Sequence, residues 1–181
     1  MPYVKLIDPA SSPAAVKPAL DGIKGAFGVV PNMFRAVANS SAALNSMWGS
    51  FGALGSGKLG ARLGEEIAVA IANANHCEYC LAAHTALGRK AGATGEEMAA
   101  AQSGRSSDPR TQAALAFALK VVRDRAAVSE ADVAALKAVG FDDESVVEIM
   151  AHIALNLFTN YVNVALNVPV DFPAVPLKRV A

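Results

Sequence analysis

The sequence of 181 residues is poor in charge, in aromatic residues and in cysteine. Charged residues make up 18%, and 16 basic and 16 acidic side chains cancel to a formal net charge of zero. No run of lysine and arginine exceeds two residues, as at Lys178-Arg179. Proteins that bind nucleic acid carry a basic surface. The composition therefore argues against a nucleic-acid partner.

Long apolar runs are missing as well. None approaches the roughly 18 to 20 residues that a membrane-spanning helix requires, and the first ten residues lack the apolar core of a secretory signal. We therefore expect a cytoplasmic protein that does not contact a membrane. Only Cys77 and Cys80 are present. In a reducing compartment, two cysteines three residues apart are more often redox-active or metal-binding than a structural disulfide.

Hydrophobic residues make up 53% of the chain, and alanine is abundant. Alanine is the best helix former, and no stretch of useful length alternates apolar and polar residues as a half-buried strand does. No low-complexity linker divides the sequence. It therefore predicts an all-α fold in which residues 1–181 form a single domain of about eight helices. The low charge also leads us to expect that apolar surface is buried between copies of the chain in a homo-oligomer.

Several helix starts can be predicted from capping residues. Ser12 before Pro13 is a plausible first start, and Thr94 with Glu97 has the spacing of a capping box. Residues 59–74 form a buried helix by their apolar pattern. We expect Asn75 to cap the next helix, with Glu78 as its reciprocal acid. These two helices would make a central helix–turn–helix that carries both cysteines.

Reactive side chains concentrate in residues 65–84, which include Glu65, both cysteines and two of the three histidines. A Cys-x-x-Cys pair can close a small disulfide loop and so cycle between dithiol and disulfide. Its thiols react as thiolates, which a helix N-terminus stabilises. With Asn75 as the cap, the helix dipole favours Cys77 as the more acidic thiol. His84 lies four residues after Cys80 on the same helical face and favours Cys80 instead. The spacing alone does not decide between them.

Glu65 can join this group only if the chain reverses. On one continuous helix it would lie nineteen residues from His84, on the order of 28 Å at ~1.5 Å per residue. A reversal near Asn75 and His76 would bring the two side chains to nearly the same level. A buried carboxylate beside a histidine can act as a proton relay that activates a thiol.

At these residues the sequence resembles a known family. Glu65, Cys-x-x-Cys twelve residues later and His84 form the core pattern of the AhpD-like alkylhydroperoxidase branch of the carboxymuconolactone decarboxylase family. Residues 75–85, N-H-C-E-Y-C-L-A-A-H-T, are similar to its usual N-G-C-x-Y-C-x-x-A-H segment. Residues 30–36 (V-P-N-M-F-R-A), 147–163 and 171–173 (D-F-P) resemble further segments of its peroxidase-related members.

The resemblance implies an AhpD-like fold and a thiol-dependent hydroperoxide reductase. Cys80 would attack the peroxide, Cys77 would resolve the product, and Glu65 and His84 would relay the proton. A dithiol partner, thioredoxin-like or lipoyl-bearing, would reduce the disulfide, and no metal or haem would be required. The family forms dimers, trimers or hexamers. Two positions depart from its pattern, because Tyr79 stands where its best-known peroxidase has a second histidine and His76 replaces the customary glycine.

Other interpretations remain open at this stage. The chain could be a thiol–disulfide oxidoreductase with a substrate other than peroxide, or a helical protein whose cysteines only sense oxidation. Zinc could be bound by both cysteines with His76 and His84, although adjacent side chains on one helix diverge. Tyr79 could wall the thiol pocket or only pack. His152 and the polar residues that follow it could border the pocket, form an interface or be hydrogen-bonded in the core.

Overall fold

A computed structural model of the chain describes residues 1–178, so Arg179 of the terminal basic pair lies outside the described residues. A short 3-10 turn at Pro9–Ser11 precedes nine α-helices, and the described residues form no strand. The helices are α1 (Lys17–Phe27), α2 (Asn32–Val37), α3 (Ser41–Gly55), α4 (Ala61–Ala74), α5 (Glu78–Lys90), α6 (Gly95–Gln102), α7 (Pro109–Arg123), α8 (Glu130–Ala138) and α9 (Asp143–Ala165). The all-α class is confirmed, with nine helices against the eight or so expected.

Helix α4 lies at the centre of the fold and packs against α5, α6, α7 and α9. Ile67 and Ile71 share one face of the helix and Val69 lies on the opposite face, yet all three are completely buried. A helix that is apolar on opposite faces is stable only when neighbours cover both of them. The surrounding helices provide this cover, so α4 lies within the core.

Capping chemistry sets most of the helix boundaries. Thr94 and Glu97 form the predicted capping box at the start of α6, and Ser129 forms another with Asp132 at α8. The predicted start at Ser12 is wrong, because α1 begins at Lys17. Pro18 explains the difference: its ring fits only the first turn of a helix, where no intrahelical partner is needed for its missing N–H.

Helix α9 and the segment after it close the fold over the central helices. The Asp171 carboxylate accepts the Asn32 backbone N–H at 2.7 Å, and the Tyr79 hydroxyl accepts that of Met33 at 3.1 Å. These two side chains satisfy N–H groups at the start of α2 that have no partner within the helix. Phe172 meets the Tyr79 ring edge to face, with centroids 5.8 Å apart. The segments 30–36 and 171–173 therefore meet at Tyr79, beside the cysteine pair.

Some apolar side chains are exposed on the surface. Helix α3 has no charged residue, and Val147 and Tyr161 on α9 are largely exposed. The homo-oligomer expected from the low charge stays a prediction. Within residues 1–178, every helix is too short or too polar to cross a membrane.

Gly88 permits the close approach of α4, α5 and α6. A Cβ added at Gly88 would lie 2.6 Å from the Met98 sulfur and 3.3 Å from the Glu65 Cβ. Met98 is fully buried, so its sulfur and terminal methyl would have to shift within the core to admit the added Cβ. The glycine thus lets Glu65 and Met98 pack directly against α5.

We expect Gly88→Ala to lower the free energy of unfolding by about 1–3 kcal/mol, because the added methyl overpacks this contact. Helix propensity alone would predict a gain. Urea denaturation measures the difference. Gly25→Ala is the matched control, since Gly25 lies within α1 with open space around it. It should be neutral or stabilising, by up to about 1 kcal/mol. Equal stability of the two variants would contradict the role assigned to Gly88.

Candidate functional site

The corner between α4 and α5 places the cysteine pair. The prediction that Asn75 caps α5 is wrong: its N–H is still bonded to the Ile71 carbonyl of α4, and its side chain donates to Asn160 at 3.0 Å. Cys77 is the N-cap instead, and its Sγ accepts the Cys80 N–H at 3.4 Å. His76 makes the turn with a φ of 53°, in the left-handed region that favours glycine.

The reversal brings Glu65 and His84 together. His84 Nδ1 lies 2.7 Å from Glu65 Oε2, across the contact between α4 and α5. Glu66 does not take part, because its carboxylate lies 3.4 Å from Arg62 Nε. Glu65 is therefore the only one of the two adjacent acids that reaches the histidine.

The Glu65 carboxylate favours the charged form of His84. Burial disfavours an imidazolium, but the charge of Glu65 and its hydrogen bond outweigh this effect, so the pKa of His84 is raised. With Nδ1 occupied by Glu65, Nε2 is the ring atom left to exchange a proton with another group.

The two cysteines differ strongly in acidity. The hydrogen bond from the Cys77 side chain lowers the pKa of Cys80 to about 6, against the opposing effect of burial, and the charge of His84 lowers it further. The same hydrogen bond, together with burial and the Cys80 charge, raises the pKa of Cys77. Cys80 is therefore the thiolate of the pair and Cys77 the thiol that donates to it.

The sequence placed Asn163 only among the polar residues after His152 that could border the pocket, and gave no contact with Cys80. Its Nδ2 donates to Cys80 Sγ at 3.2 Å from helix α9. Asn163 belongs to a row of buried or half-buried polar side chains on one face of α9: His152, Asn156, Thr159, Asn160 and Asn163. Their spacing of three and four residues is the signal that could have indicated a polar face.

Other members of this row have partners away from the thiols. Asn156 donates to the His152 carbonyl at 2.9 Å, and Thr159 donates to the Asn156 carbonyl at 3.1 Å. Thr159 also contributes to the lowered pKa of Cys80. His152 packs against Gly64, whose added Cβ would lie 3.0 Å from the His152 ring. The row is only partly hydrogen-bonded. Within the described residues, four of its buried polar atoms have no partner, namely His152 Nε2, Asn156 Oδ1, Asn160 Nδ2 and Asn163 Oδ1.

Two cavities reach the cysteine pair. One, of about 30 Å³, exposes Cys80 and His84 and has a lining rich in aromatic rings, namely Phe27, Phe34, Phe51, Tyr79 and Phe172. The other, of about 200 Å³, lies beside Cys77 and is lined by residues that include His76, Glu78, Asn163, Asn167 and Val170. Tyr79 lines both, so it forms a wall of the thiol pocket as well as packing against Phe172.

A zinc site was one interpretation of the cysteines and histidines. In the part of the chain that the structure describes, no three His, Cys, Asp or Glu side chains converge as metal ligands. His84 is engaged by Glu65, and the exposed His76 lies on the corner rather than on α5. The contacts present are the hydrogen bond between Glu65 and His84 and the one from Asn163 to Cys80.

We expect Asn163→Ala to raise the pKa of Cys80, because the thiolate loses a hydrogen bond that stabilises only its charged form. The ultraviolet absorbance of the thiolate should then appear at higher pH than in the wild type, where it rises as the pH passes about 6. Asn156→Ala is the control. It removes a buried amide of the same helix without a contact to Cys80. A shift of equal size in both variants would show a general packing effect instead.

The chain is similar to known proteins in sequence and in fold. The sequence profile described as the carboxymuconolactone decarboxylase family matches residues 41–124, whereas no curated protein gives a significant match. Two peroxidase-related proteins have similar solved structures. The one from Silicibacter sp. TM1040 is 27% identical, with a TM-score of 0.82 over 93% of this chain and 91% of that chain. The other, from Ralstonia eutropha JMP134 and described as an alkylhydroperoxidase AhpD core, is 28% identical, with a TM-score of 0.83 over 94% and 92%.

The debrominase Bmp8 shares the same fold. Its apo structure is 22% identical to this chain, with a TM-score of 0.80 over 93% of this chain and 91% of that chain. At this identity only the fold is shared. The family profile covers the cysteine pair, Glu65 and His84, and the similar structures extend over more than nine-tenths of the chain. Residues 41–124 therefore match the carboxymuconolactone decarboxylase family, and more than nine-tenths of the chain is similar to AhpD-like, peroxidase-related proteins of known structure.

Proposed function

We propose that the protein is a thiol-dependent hydroperoxide reductase. The observation that carries this proposal is the environment of Cys80. Its Sγ is a buried thiolate that accepts a hydrogen bond from Asn163 and lines an apolar cavity together with His84. Low-pKa thiolates with access to an oxidant are the cysteines that peroxides oxidise.

The first step is attack of the Cys80 thiolate on the peroxide. A bond forms between Sγ and the terminal oxygen, the O–O bond breaks, and the electron pair leaves with the alkoxide. The imidazolium of His84 supplies the proton that converts the alkoxide to an alcohol. Glu65 favours that imidazolium. The proton removed from the thiol therefore stays on His84 until it is transferred to the leaving alkoxide. The step leaves Cys80 as a sulfenic acid.

The second step is resolution by Cys77. While Cys80 is a thiolate, its charge keeps the pKa of Cys77 raised. A neutral sulfenic acid no longer has this effect, so Cys77 becomes easier to deprotonate once Cys80 has reacted. The Cys77 sulfur then attacks the sulfenic sulfur, the S–S bond forms, and the S–O bond breaks to release water. An external dithiol returns the disulfide to the dithiol state.

The cavity beside Cys80 favours an organic hydroperoxide over hydrogen peroxide. Its lining is apolar apart from the two reactive groups. A volume of about 30 Å³ holds the reacting oxygens, which are about the size of a water molecule or two. The organic part must then lie outside it, against the half-buried rings of Phe27, Phe51 and Phe172, where burial of apolar surface contributes to binding. We expect cumene hydroperoxide to react with a higher kcat/KM than hydrogen peroxide.

A related activity is the second candidate. The shared fold with the debrominase Bmp8 shows that this scaffold also serves a reaction other than peroxide reduction. The apolar lining of the cavity beside Cys80 is compatible with an apolar halogenated substrate as well as with an alkyl hydroperoxide. Activity on such a substrate, with none on hydroperoxides, would favour the broader class of thiol-dependent oxidoreductases. A protein that is oxidised once and is not reduced by a dithiol would be a redox sensor.

Catalytic consumption of cumene hydroperoxide in the presence of dihydrolipoamide tests the assigned roles. Cys80→Ser should abolish turnover because it removes the nucleophile. Cys77→Ser should still form a sulfenic acid on Cys80, which a dimedone probe traps and mass spectrometry locates. Full turnover of Cys80→Ser, or sulfenic acid on Cys77 in the wild type, would reverse the assignment.

Glu65 and Glu66 offer a matched pair of variants for the relay. Glu65→Gln removes the negative charge that favours the His84 imidazolium. It should slow oxidation of Cys80 at neutral pH by about 100-fold, the lower end of the range of a lost acid–base contribution. Stopped-flow tryptophan fluorescence can follow this step. Glu66→Gln should leave the rate unchanged, because Glu66 pairs with Arg62. Equal rates in the two variants would remove Glu65 from the relay.

A further inference from the structure

The cysteine pair is reached from two separate sides. Cys80 and His84 line the apolar cavity of about 30 Å³, and Cys77 lines the cavity of about 200 Å³. Of the residues that line them, the two cavities share only Tyr79. Its side chain is held in place by the Met33 N–H and by the Phe172 ring, so it forms a fixed wall between them.

We infer that the two substrates of the cycle use different sides of the site. The oxidising substrate reaches Cys80 through the apolar cavity, and a small aliphatic dithiol reaches the disulfide through the Cys77 cavity and attacks Cys77 Sγ. This inference rests on the thiol–disulfide cycle proposed above and adds to it the position at which the reductant reacts.

The acidity of the two thiols supports attack at Cys77. In thiol–disulfide exchange, the sulfur that leaves as the more stable thiolate leaves faster. Cys80 is that sulfur, because Asn163 and the charge of His84 stabilise its thiolate. Attack on Cys77 therefore expels the better leaving group, whereas attack on Cys80 would expel the thiol with the raised pKa.

The sizes and linings of the cavities also support attack of the reductant at Cys77. The cavity beside Cys80 is narrow, at about 30 Å³, and is lined by bulky aromatic rings. The Cys77 cavity is several times larger, and Val164 and Val170 at its edge are 52% and 40% exposed. These aliphatic side chains provide an apolar edge for the carbon chain of a small dithiol. Cys77 itself is buried, so a slender reductant reaches it more easily than a broad protein surface.

The exchange balances as two displacements. A thiolate of the reductant attacks Cys77 Sγ, a mixed disulfide forms, and the Cys77–Cys80 bond breaks with its electron pair on Cys80 Sγ. The second thiol of the reductant, as a thiolate, then attacks the reductant sulfur that is bonded to Cys77. This breaks the mixed disulfide and releases Cys77 as a thiolate, which takes up a proton. The reductant leaves as a cyclic disulfide, having given two electrons to the cysteine pair.

The test measures the two half-reactions separately. The disulfide is prepared with diamide, so the reductive half-reaction can be followed whether or not hydroperoxides oxidise the protein. Dihydrolipoamide is the reductant, and cumene hydroperoxide is the oxidant in the other half-reaction. Val164→Trp should slow reduction by about tenfold or more by filling the edge of the Cys77 cavity, and leave oxidation unchanged. Leu87→Trp, in the apolar cavity, should slow oxidation and leave reduction unchanged.

Val147→Trp is the matched control, because Val147 is an exposed valine of the same helix that lines neither cavity. It should change neither rate, and Val170→Trp should repeat the result of Val164→Trp on a second residue. Slower reduction in Leu87→Trp, or unchanged reduction in both Val164→Trp and Val170→Trp, would overturn the inference. Failure of hydroperoxide to oxidise any variant would instead count against the proposed function alone.

The position of attack can also be located directly. Diamide-oxidised protein is treated briefly with the monothiol 2-mercaptoethanol, quenched with acid and digested under non-reducing conditions. Mass spectrometry should find the mixed disulfide on Cys77. A mixed disulfide mainly on Cys80 would show that the reductant attacks from the other side.

Discussion

The hydrogen bond between Glu65 and His84 is the constraint on which the site depends. Neither a carboxylate nor an imidazolium is stable in the interior alone, but a close, hydrogen-bonded pair can be accommodated. The pair forms only because the chain turns back within residues 75–77 and because Gly88 lets α4 and α5 approach. The apolar surface of α4 then fixes both helices against the rest of the fold. The charge pattern of the site is thus set by how two helices pack.

That packing makes the two cysteines unequal although only two residues separate them. Cys80 faces a charged histidine and the amide of Asn163, whereas Cys77 faces the Cys80 thiolate. A single negative charge is therefore held on one sulfur. The same asymmetry gives an order to the proposed cycle. The stabilised sulfur attacks first and leaves first, and the other sulfur reacts only after that charge has been removed.

Local sequence signals predicted most of the fold but only part of the site. Capping boxes such as Thr94 with Glu97 depend on residues three apart, so the sequence contains the whole interaction. Asn75 was a reasonable cap by residue type, yet Cys77 takes that role because Asn75 is bonded to Ile71 and Asn160. Asn163 lies 83 residues from Cys80, and no spacing rule connects two such positions. The family pattern supplied the contact of Glu65 with His84, but not the donors from α9.

The long-range contacts of α9 also determine when the site becomes reactive during synthesis. Asn163 and Asp171 join the fold late, and their partners Cys80 and Asn32 lie 83 and 139 residues earlier. A nascent chain that has exposed the cysteine pair but not α9 lacks the amide that stabilises the thiolate. Domains complete such distant contacts only when the later segments are available. The growing chain would therefore carry a less acidic Cys80 than the finished fold.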